Sequence, residues 1–384
     1  MPNPHLDILG RLVGFDTVSR NSNLQLIDYV KAYFAEHGVE AEILYDDTGT
    51  KANLLATVGP ADRAGIVLSG HTDVVPVDGQ DWSTDPFKLV RRDGKVYGRG
   101  ASDMKGYLAC ALAAVPDLLA ADLKRPVHFA FSYDEEVGCL GVPAIVERIL
   151  QKGPRPDMAF IGEPSLMSIV NGHKGSCGLR TDITGLACHS AQPQLGVNAI
   201  LAASEIMQML RARQEQIAAD PAEAAAFDPP YTTISVGTIR GGTSRNTVAG
   251  TCSFEWDIRA TRPGIKEEIR ADLERFVELQ LLPAMRKRQP GAMVRTVMAY
   301  DVPPLVHEEA NPAELLGQAL TGKSDSMTVP YGSEAGFFQQ AGMATVICGP
   351  GNIEQAHKPD EFIAESELAA CMSFLERLGR HLTA

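Results

Sequence analysis

The sequence has little that would suit a secreted or membrane-bound protein. Its seven cysteines are an odd number and form no Cys-x-x-Cys motif, so they indicate reduced, mostly buried thiols and not a disulfide framework. No apolar run approaches the ~18 residues that a transmembrane helix needs. Residues 1–20 lack a basic segment followed by an apolar run, so we expect no signal peptide.

Basic residues are also in deficit. Lys and Arg total 35 against 48 Asp and Glu, which gives a net charge of −13 and argues against a general nucleic-acid binder. The loop YGRGASDMKG (97–106) supplies GxGxxD in place of GxGxxG, so we reject a nucleotide-binding interpretation of this segment. These absences leave a cytoplasmic protein, most simply an enzyme.

What is present is the composition of a globular chain of more than one domain. Hydrophobic residues make up 45% and charged residues 22% of 384 residues, and domains average about 150 residues. Helical and strand patterns alternate along the first 170 residues. Helices are predicted at 24–38, 105–122 and 142–150, and strands at 65–75, 127–133 and 158–162. This alternation is typical of a largely parallel sheet with helices on both faces.

The pattern changes near NGHKG (171–175), a glycine-punctuated segment suited to a hinge. Beyond it the order is βαββαβ, which predicts a ferredoxin-like α+β unit. In the strand 251–260, the apolar residues Cys252, Phe254, Trp256 and Ile258 share one face. The predicted helix stripes are Ile200, Ala203, Met207 and Leu210 in one helix, and Ile265, Ile269, Leu273 and Phe276 in the other.

From about residue 304 the α/β pattern resumes, with a helix at 312–320, a strand at 344–348 and a terminal helix near 364–382. We therefore predict an α/β domain formed by residues 1–176 and 304–384, interrupted by an inserted α+β domain at 177–303. The segment 218–230 is expected to be an exposed loop.

Acidic and imidazole side chains stand at strand ends or in glycine-rich loops of the α/β domain. They are His71, Asp73, Asp103, Glu135, Glu136, Glu163 and His357. In open α/β sheets, ligands bind outside the carboxyl ends of the strands, so parallel strands would bring these segments to one rim. Singly, each is more often a turn, capping or solvated residue than a ligand. Together they lie in five segments of the chain, and without a shared function five independent coincidences would be needed to place oxygen or imidazole donors in all of them.

In order, the motifs GHTDVVP, GRGASDMKG, DEEVG, GEP and AHKPDE resemble those of the M20 family of di-zinc metallopeptidases and deacylases. The resemblance covers almost the whole chain and is specific as a set. It implies a zinc-exopeptidase-like catalytic domain with an inserted lid or dimerisation domain, a metal-dependent amide hydrolase, and a homodimer.

The resemblance also implies the metal ligands. His71 and Glu163 would bind one zinc, Glu136 and His357 the other, and Asp103 would bridge both. Charge supports this set independently, because two Zn²⁺ ions balance three carboxylates and one bridging hydroxide. Nitrogen and carboxylate donors without thiolate suit a catalytic zinc site, although the ligand types alone would also accept Co²⁺ or Mn²⁺.

Two acids beside these ligands have other expected roles. Asp73 lies two residues after His71, so in extended chain both side chains point to one face, which suits a carboxylate that orients the histidine; the alternative is an ordinary helix-capping residue. Glu135 and Glu136 diverge in extended chain, and the resemblance makes Glu135 the general base and later the acid. The family also has a cis peptide after the bridging aspartate, here Asp103–Met104.

On the substrate side, the resemblance implies that His189, reaching the partner subunit's site, assists the oxyanion, and that Arg259 and Asn246 bind the substrate's α-carboxylate. For Arg259 the alternative is a surface ion pair with Asp257. Glu334 is predicted to hold a cationic substrate side chain, and the alternative is an acid at a helix N-terminus after a Ser333 cap.

The expected substrate is therefore a small N-acyl amino acid, with no nucleic acid and no membrane as partner. Within the family, a desuccinylase, an aminoacylase and a glutamate carboxypeptidase remain alternatives. A succinyl or glutamyl substrate needs an extra cation, which Lys174 or Arg245 could provide. A catalytically inactive scaffold is the alternative of a different class, and retention of all five ligands and Glu135 argues against it.

Overall fold

The computed structural model describes residues 3–220 and 226–383. The helices are α1 Pro4–Val13, α2 Leu24–Glu36, α3 Lys105–Ala113, α4 Val115–Ala120, α5 Val142–Lys152, α6 Ala199–Ala218, α7 Ile265–Phe276, α8 Leu282–Arg286, α9 Pro312–Thr321, α10 Ala335–Gln340 and α11 Glu365–His381. The strands are β1 Ala41–Tyr45, β2 Ala52–Val58, β3 Ile66–His71, β4 Val90–Arg92, β5 Lys95–Tyr97, β6 Val127–Ser132, β7 Met158–Pro164, β8 Ile169–His173, β9 Gly175–Thr184, β10 Thr233–Gly241, β11 Thr251–Ala260, β12 Met293–Val302, β13 Ser326–Val329, β14 Ala344–Gly349 and β15 Phe362–Ala364.

The chain divides into two compact units. The first comprises Met1–Gly172, Leu305–Thr328 and Ser333–Ala384, and the second comprises His173–Pro304 and Val329–Gly332. The predicted fold class, an α/β domain interrupted by an α+β insertion, is confirmed. Of the loop predicted at 218–230, residues 221–225 lie outside the described part of the chain, and 226–230 form turns and bends.

The first unit is built on a mixed sheet in the order β1-β2-β6-β3-β7-β14-β8-β13. Its centre is parallel, because β3 pairs with β6 and β7, and β7 pairs with β14, all in the same direction. The outer pairs β1–β2, β2–β6 and β14–β8 are antiparallel. Every residue of β3 is buried, as expected for a central strand covered on both faces.

Aromatic and aliphatic side chains from both faces of this sheet form its core. Phe34 of α2 packs edge-on against Phe129 of β6, with ring centroids 5.3 Å apart. All nine residues of α3 are buried, including Lys105, so this helix has no face toward solvent. The single helix predicted at 105–122 is wrong: α3 ends at Ala113 and α4 begins at Val115. Pro116 lies in the first turn of α4, where its missing N–H costs no helical hydrogen bond.

The second unit is an antiparallel sheet in the order β10-β11-β9-β12, and its chain order βαββαβ confirms the ferredoxin-like prediction. The predicted inward face of β11 is buried, as are Ile265, Ile269 and Leu273 of α7. In α6 the predicted stripe is partly wrong, because Ile200 is exposed. The buried residues of α6 are Ala199, Ala202, Ala203, Ile206 and Leu210, so the small alanines face the sheet.

No helix among residues 3–220 and 226–383 is long and apolar enough to cross a membrane.

Candidate metal centre

The ends of three central strands bring the predicted ligands together. β3 ends at His71, which is paired in register with Ser132 at the end of β6, and Glu135 and Glu136 follow three and four residues later. Glu163 lies near the end of β7. Because these strands are parallel neighbours, their carboxyl ends meet at one edge of the sheet.

Asp103 lies between the two histidines of this group. Its Oδ1 is 3.0 Å from Nε2 of His71, and its Oδ2 is 3.4 Å from Nε2 of His357. The two oxygens of one carboxylate thus face two different imidazoles. This is the arrangement that a carboxylate bridging two metal ions requires.

Each histidine also has a glutamate of its own. Oε1 of Glu163 is 3.8 Å from Nε2 of His71, and Oε2 of Glu136 is 3.1 Å from Nε2 of His357. His71, Asp103 and Glu163 are buried, whereas His357 is exposed. The residues therefore form two half-sites that share Asp103. The first half-site is His71 with Glu163, and the second is His357 with Glu136. The predicted cis peptide between Asp103 and Met104 is present.

Glu135 lies beside the His71 half-site. One oxygen of its carboxylate is within 4.8 Å of ligand atoms of His71 and Glu163. Its Oε1 accepts a hydrogen bond from the thiol of Cys139, with 3.4 Å between sulfur and oxygen. The sequence interpretation assigned no cysteine to the site, so it missed that Cys139 contacts the predicted base.

Asp73 contacts the site differently from the prediction. Nδ1 of His71 donates to the main-chain carbonyl of Asp73 at 2.9 Å, while the Asp73 carboxylate is farther from it, at 3.7 Å. The carboxylate instead accepts from the main-chain N–H groups of Glu135 and Glu136, at 3.1 and 3.3 Å, and from the Ser19 hydroxyl at 2.7 Å. The side chain therefore positions the turn after β6, and the main chain orients His71.

The pKa shifts in this cluster indicate an excess of negative charge that bound cations would compensate. Burial, together with the charges of Glu136 and Asp103, raises the pKa of Glu135 to about 8. Burial and the Asp103 charge likewise raise the pKa of Glu136 to about 7, and that of Glu163 well above its usual value. Hydrogen bonds to Asp103 and Glu136 raise the pKa of His357 to about 10. Crowded acids hold protons in this way when no metal compensates their charge.

The residues fit a pair of divalent metal ions. Oε1 of Glu163 is buried and accepts no hydrogen bond from any described residue, although it points toward His71. A buried carboxylate oxygen without a donor is costly unless a cation binds it. Imidazole and carboxylate donors, with no thiolate among them, suit catalytic zinc and related ions.

Glu334 does not lie where the prediction requires. It is fully buried, and its carboxylate accepts from the hydroxyls of Ser69 at 2.5 Å and Ser132 at 2.8 Å. A carboxylate enclosed in this way does not reach a substrate ammonium group, so the predicted contact is corrected to a buried link between β3 and β6. Glu334 lies at the N-terminus of α10, as the alternative interpretation had it, and the Ser333 hydroxyl accepts from the N–H of Ala335.

The other predicted substrate residues lie in the second unit. His189 is exposed, and its Nδ1 accepts from the N–H of Ala191 at 3.1 Å. Asn246 is its neighbour, because the N–H of Ser190 donates to the Asn246 carbonyl at 3.0 Å. Arg259 pairs with Asp257 at 2.8 Å and keeps 39% of its side chain exposed. His189 and Asn246 are thus together on one loop surface, and Arg259 makes the ion pair of its alternative interpretation.

A buried ion pair beside the Asp103 loop was also missed. Arg99 and Glu361 face each other with both side chains 1% exposed. Both lie within the motifs quoted for the metal ligands, GRGASDMKG and AHKPDE. The available signal was one basic and one acidic residue, Arg99 four residues before Asp103 and Glu361 four residues after His357.

The profile of the peptidase family M20/M25/M40 matches residues 67–381, and the chain belongs to this family. An acetylornithine deacetylase of Pasteurella multocida is 35% identical over 360 residues, which cover 93% of this chain and 91% of the relative. An acetylornithine deacetylase of Myxococcus xanthus is 35% identical over 380 residues, which cover 97% and 96%.

Solved structures share the fold. A metallo-carboxypeptidase of the M20 family from Sulfolobus solfataricus superposes with a TM-score of 0.76 at 18% identity, over 100% of both chains. A dinuclear metal-binding peptidase of the same family from Bacillus subtilis gives a TM-score of 0.65 at 16% identity, over 98% of this chain and 97% of that one.

Proposed function

We propose that the protein is a metal-dependent amide hydrolase that converts N2-acetyl-L-ornithine to L-ornithine and acetate, a reaction of arginine biosynthesis, in the cytoplasm. The observation that supports the chemistry is the Asp103 carboxylate with one oxygen toward His71 and the other toward His357. Support for the substrate is the similarity to acetylornithine deacetylases along nearly the whole chain.

Five residues would hold two Zn²⁺ ions, for which Co²⁺ can substitute. His71 and Glu163 belong to one ion, Glu136 and His357 to the other, and Asp103 to both. When bound, such ions polarise an amide carbonyl and lower the pKa of water. The Asp73 carboxylate holds the main chain of Glu135 and Glu136, and so fixes where the base and one ligand stand.

Glu135 is the proton carrier in this proposal. Its carboxylate takes a proton from the attacking water, and the water oxygen forms the new bond to the acetyl carbon. Glu135 then gives the proton to the ornithine nitrogen as the C–N bond breaks. The immediate products are acetic acid and the free amine, and transfer of the acid proton to the amine leaves acetate and the ammonium form, so atoms and protons balance without another reactant. The Cys139 thiol restricts the Glu135 side chain through its hydrogen bond.

The second unit would act as lid and dimerisation domain of a homodimer. In this role His189 assists the oxyanion in the partner subunit's site, and Arg259 and Asn246 bind the α-carboxylate of the substrate. A guanidinium suits a carboxylate because two N–H groups can donate in parallel. Binding would require Arg259 to leave Asp257, which is feasible because a partly exposed pair is worth about 0–1 kcal/mol.

The test is hydrolysis of a panel of N-acetyl, N-succinyl and N-formyl amino acids after loading with Zn²⁺ or Co²⁺. We expect the highest kcat/KM for N2-acetyl-L-ornithine, with Glu135→Gln as the inactive control. A clear preference for a succinyl or glutamyl substrate would replace the proposed substrate by that of another deacylase of the family. A metal-loaded protein that hydrolyses none of the panel would overturn the enzymatic proposal.

A further inference from the structure

The Arg99–Glu361 pair links the two loops that present Asp103 and His357. Nη1 of Arg99 lies 2.7 Å from Oε2 of Glu361, and both side chains are 1% exposed. Burying two charges costs several kcal/mol per ion in desolvation, so such a pair is weak evidence for a role in stability alone. Its hydrogen bonds indicate what else it does.

Glu361 binds the turn that leads into Asp103. Its Oε1 accepts from the main-chain N–H of Ser102 at 2.8 Å and of Asp103 at 3.0 Å. Its Oε2 accepts from the N–H of Gly100 at 3.0 Å, in addition to Arg99. One carboxylate therefore receives three main-chain donors from four consecutive residues, and the last of them is the main chain of Asp103 itself.

Arg99 extends the link to the His357 loop. Its Nη1 also donates to the carbonyl of Lys358 at 3.3 Å, and its Nη2 donates to Oε1 of Gln80 at 2.6 Å. Nε2 of Gln80 in turn donates to the carbonyl of His357 at 3.0 Å. The guanidinium also lies over the ring of Trp82, 5.0 Å from its centroid.

The His357 loop has an uncommon backbone. His357 and Asp360 both have positive φ, 63° and 54°, a region that few non-glycine residues adopt, although His and Asp do so more often than most. The Asp360 carboxylate accepts from the N–H and the hydroxyl of Ser83, at 2.9 and 3.0 Å. The loop is thus held from the same 80–83 segment that carries Gln80.

We propose that Glu361, with Arg99 and Gln80, is a positioning element that sets the distance between Asp103 and His357. It thereby forms the metal position of the second half-site, that of Glu136 and His357. This inference rests on the proposed di-metal centre. Glu361 touches neither metal nor substrate, and it acts through the main chain of Asp103 and of the His357 loop. In the described residues His71 and Glu163 make no hydrogen bond with Glu361, Arg99 or Gln80, and His71 meets the network only at the shared Asp103 carboxylate.

The test compares Glu361→Gln with wild type in Co²⁺ binding, followed by calorimetry and by visible absorption of the bound cobalt. An amide nitrogen cannot accept, so whichever carboxylate oxygen it replaces, two of the four hydrogen bonds to Glu361 are lost while the size of the side chain is kept. We expect affinity for the second equivalent of Co²⁺ to fall about 10–100-fold, with a changed absorption spectrum, and affinity for the first equivalent to fall by a smaller factor, because both ions share Asp103.

The matched control is Glu365→Gln. It is the same change four residues further along the chain, in an ion pair whose partner, Arg91, has 54% of its side chain exposed. This control should bind both equivalents like wild type. If Glu361→Gln does not fold, Gln80→Met carries the same test, because it cuts the link to the His357 carbonyl on a partly exposed loop. A weaker second equivalent in either variant supports the proposal.

Two wild-type affinities and an unchanged spectrum in a folded Glu361→Gln protein would overturn the positioning role. The readout is independent of substrate. A wild-type protein that binds two cobalt ions, loses the second on Glu361→Gln, and hydrolyses no N-acyl amino acid would reject the proposed function and leave this inference standing.

Discussion

The carboxylate of Asp73 accepts a hydrogen bond from the main-chain N–H of Glu135, with 3.1 Å between oxygen and nitrogen. Its other oxygen accepts from Glu136 at 3.3 Å. The residue that follows the His71 strand end by two positions therefore fixes the turn that carries the predicted base and one predicted ligand. His71 and this turn are held by different atoms of the same residue.

This geometry predicts that Asp73→Asn lowers kcat/KM about 10–100-fold, because an amide nitrogen cannot accept from the N–H of Glu136. His71 should stay in place, since it donates to the Asp73 carbonyl, which the substitution keeps. Steady-state kinetics and metal content on the same preparation test this. Asp78→Asn, on the same loop in an exposed pair with Arg20, is the control and should be neutral. Wild-type activity in Asp73→Asn would contradict the prediction.

Adjacent isosteric substitutions should separate chemistry from metal binding. Glu135→Gln is expected to lower kcat at least about 100-fold with two metals retained, because it removes only the proton acceptor. Glu136→Gln is expected to lower metal stoichiometry, because the carboxylate faces His357 in the second half-site. Metal analysis and kcat at saturating metal distinguish the two variants. Equal metal loss in both would show that Glu135 is a ligand as well.

The places of His71 and Glu163 in the fold were predictable because each is tied to a local feature that a sequence displays, whereas the metal-binding roles came from the family resemblance. His71 ends an apolar run, and Glu163 ends another, so both lie at the same edge of a parallel sheet. Hydrophobic alternation in β11 likewise reports its own buried face. Periodicity and strand ends are short-range properties, so a sequence shows where such residues lie in the fold.

The surroundings of these ligands depend on partners far along the chain, and the sequence did not predict them. Glu334 follows a serine at the start of a helix, a pattern typical of a solvated acid. In the structure its carboxylate is buried and accepts from the hydroxyls of Ser69 and Ser132 on two central strands. Asp73 has three acceptor contacts that involve residues 54 to 63 positions away. Whether such an acid is exposed or buried is decided by tertiary packing, which leaves no local pattern.

Burial of Glu334 predicts that it does not select the substrate side chain. Glu334→Gln should change KM for N2-acetyl-L-ornithine and for N-acetyl-L-methionine by the same factor. Glu334→Ala should lower the free energy of unfolding by about 2–4 kcal/mol, because two buried hydroxyls lose their acceptor. The control for the KM measurement is Glu354→Gln, which makes the same Glu-to-Gln change at an exposed position. A KM effect confined to acetylornithine would return Glu334 to the substrate site.

His128 predicts a loss of stability in acid. Burial, with the charge of Lys152, lowers its pKa from 6.5 to about 4, so the unfolded chain binds more protons between these values. The free energy of unfolding therefore falls as pH falls from 6.5 to 4, by up to about 3 kcal/mol from this residue. Urea unfolding of metal-free His128→Gln should show a shallower decline than wild type, whereas His381→Gln, at an exposed position, should not. Parallel curves for His128→Gln and wild type would refute this.

Metal binding should release protons, and its affinity should rise with pH. In the metal-free protein His357 has a pKa of about 10, and Glu136 about 7, so at pH 7 His357 holds a proton and Glu136 is partly protonated. Metal requires neutral imidazole and ionised carboxylate, so protons and metal compete for the same atoms. Calorimetry at pH 7 in two buffers of different ionisation enthalpy should give a net release of more than one proton as the centre fills. His357→Asn should release about one proton fewer, because the imidazolium is absent. A pH-independent affinity with no proton release would mean that the acids and imidazoles of this cluster are not the atoms that bind the metal.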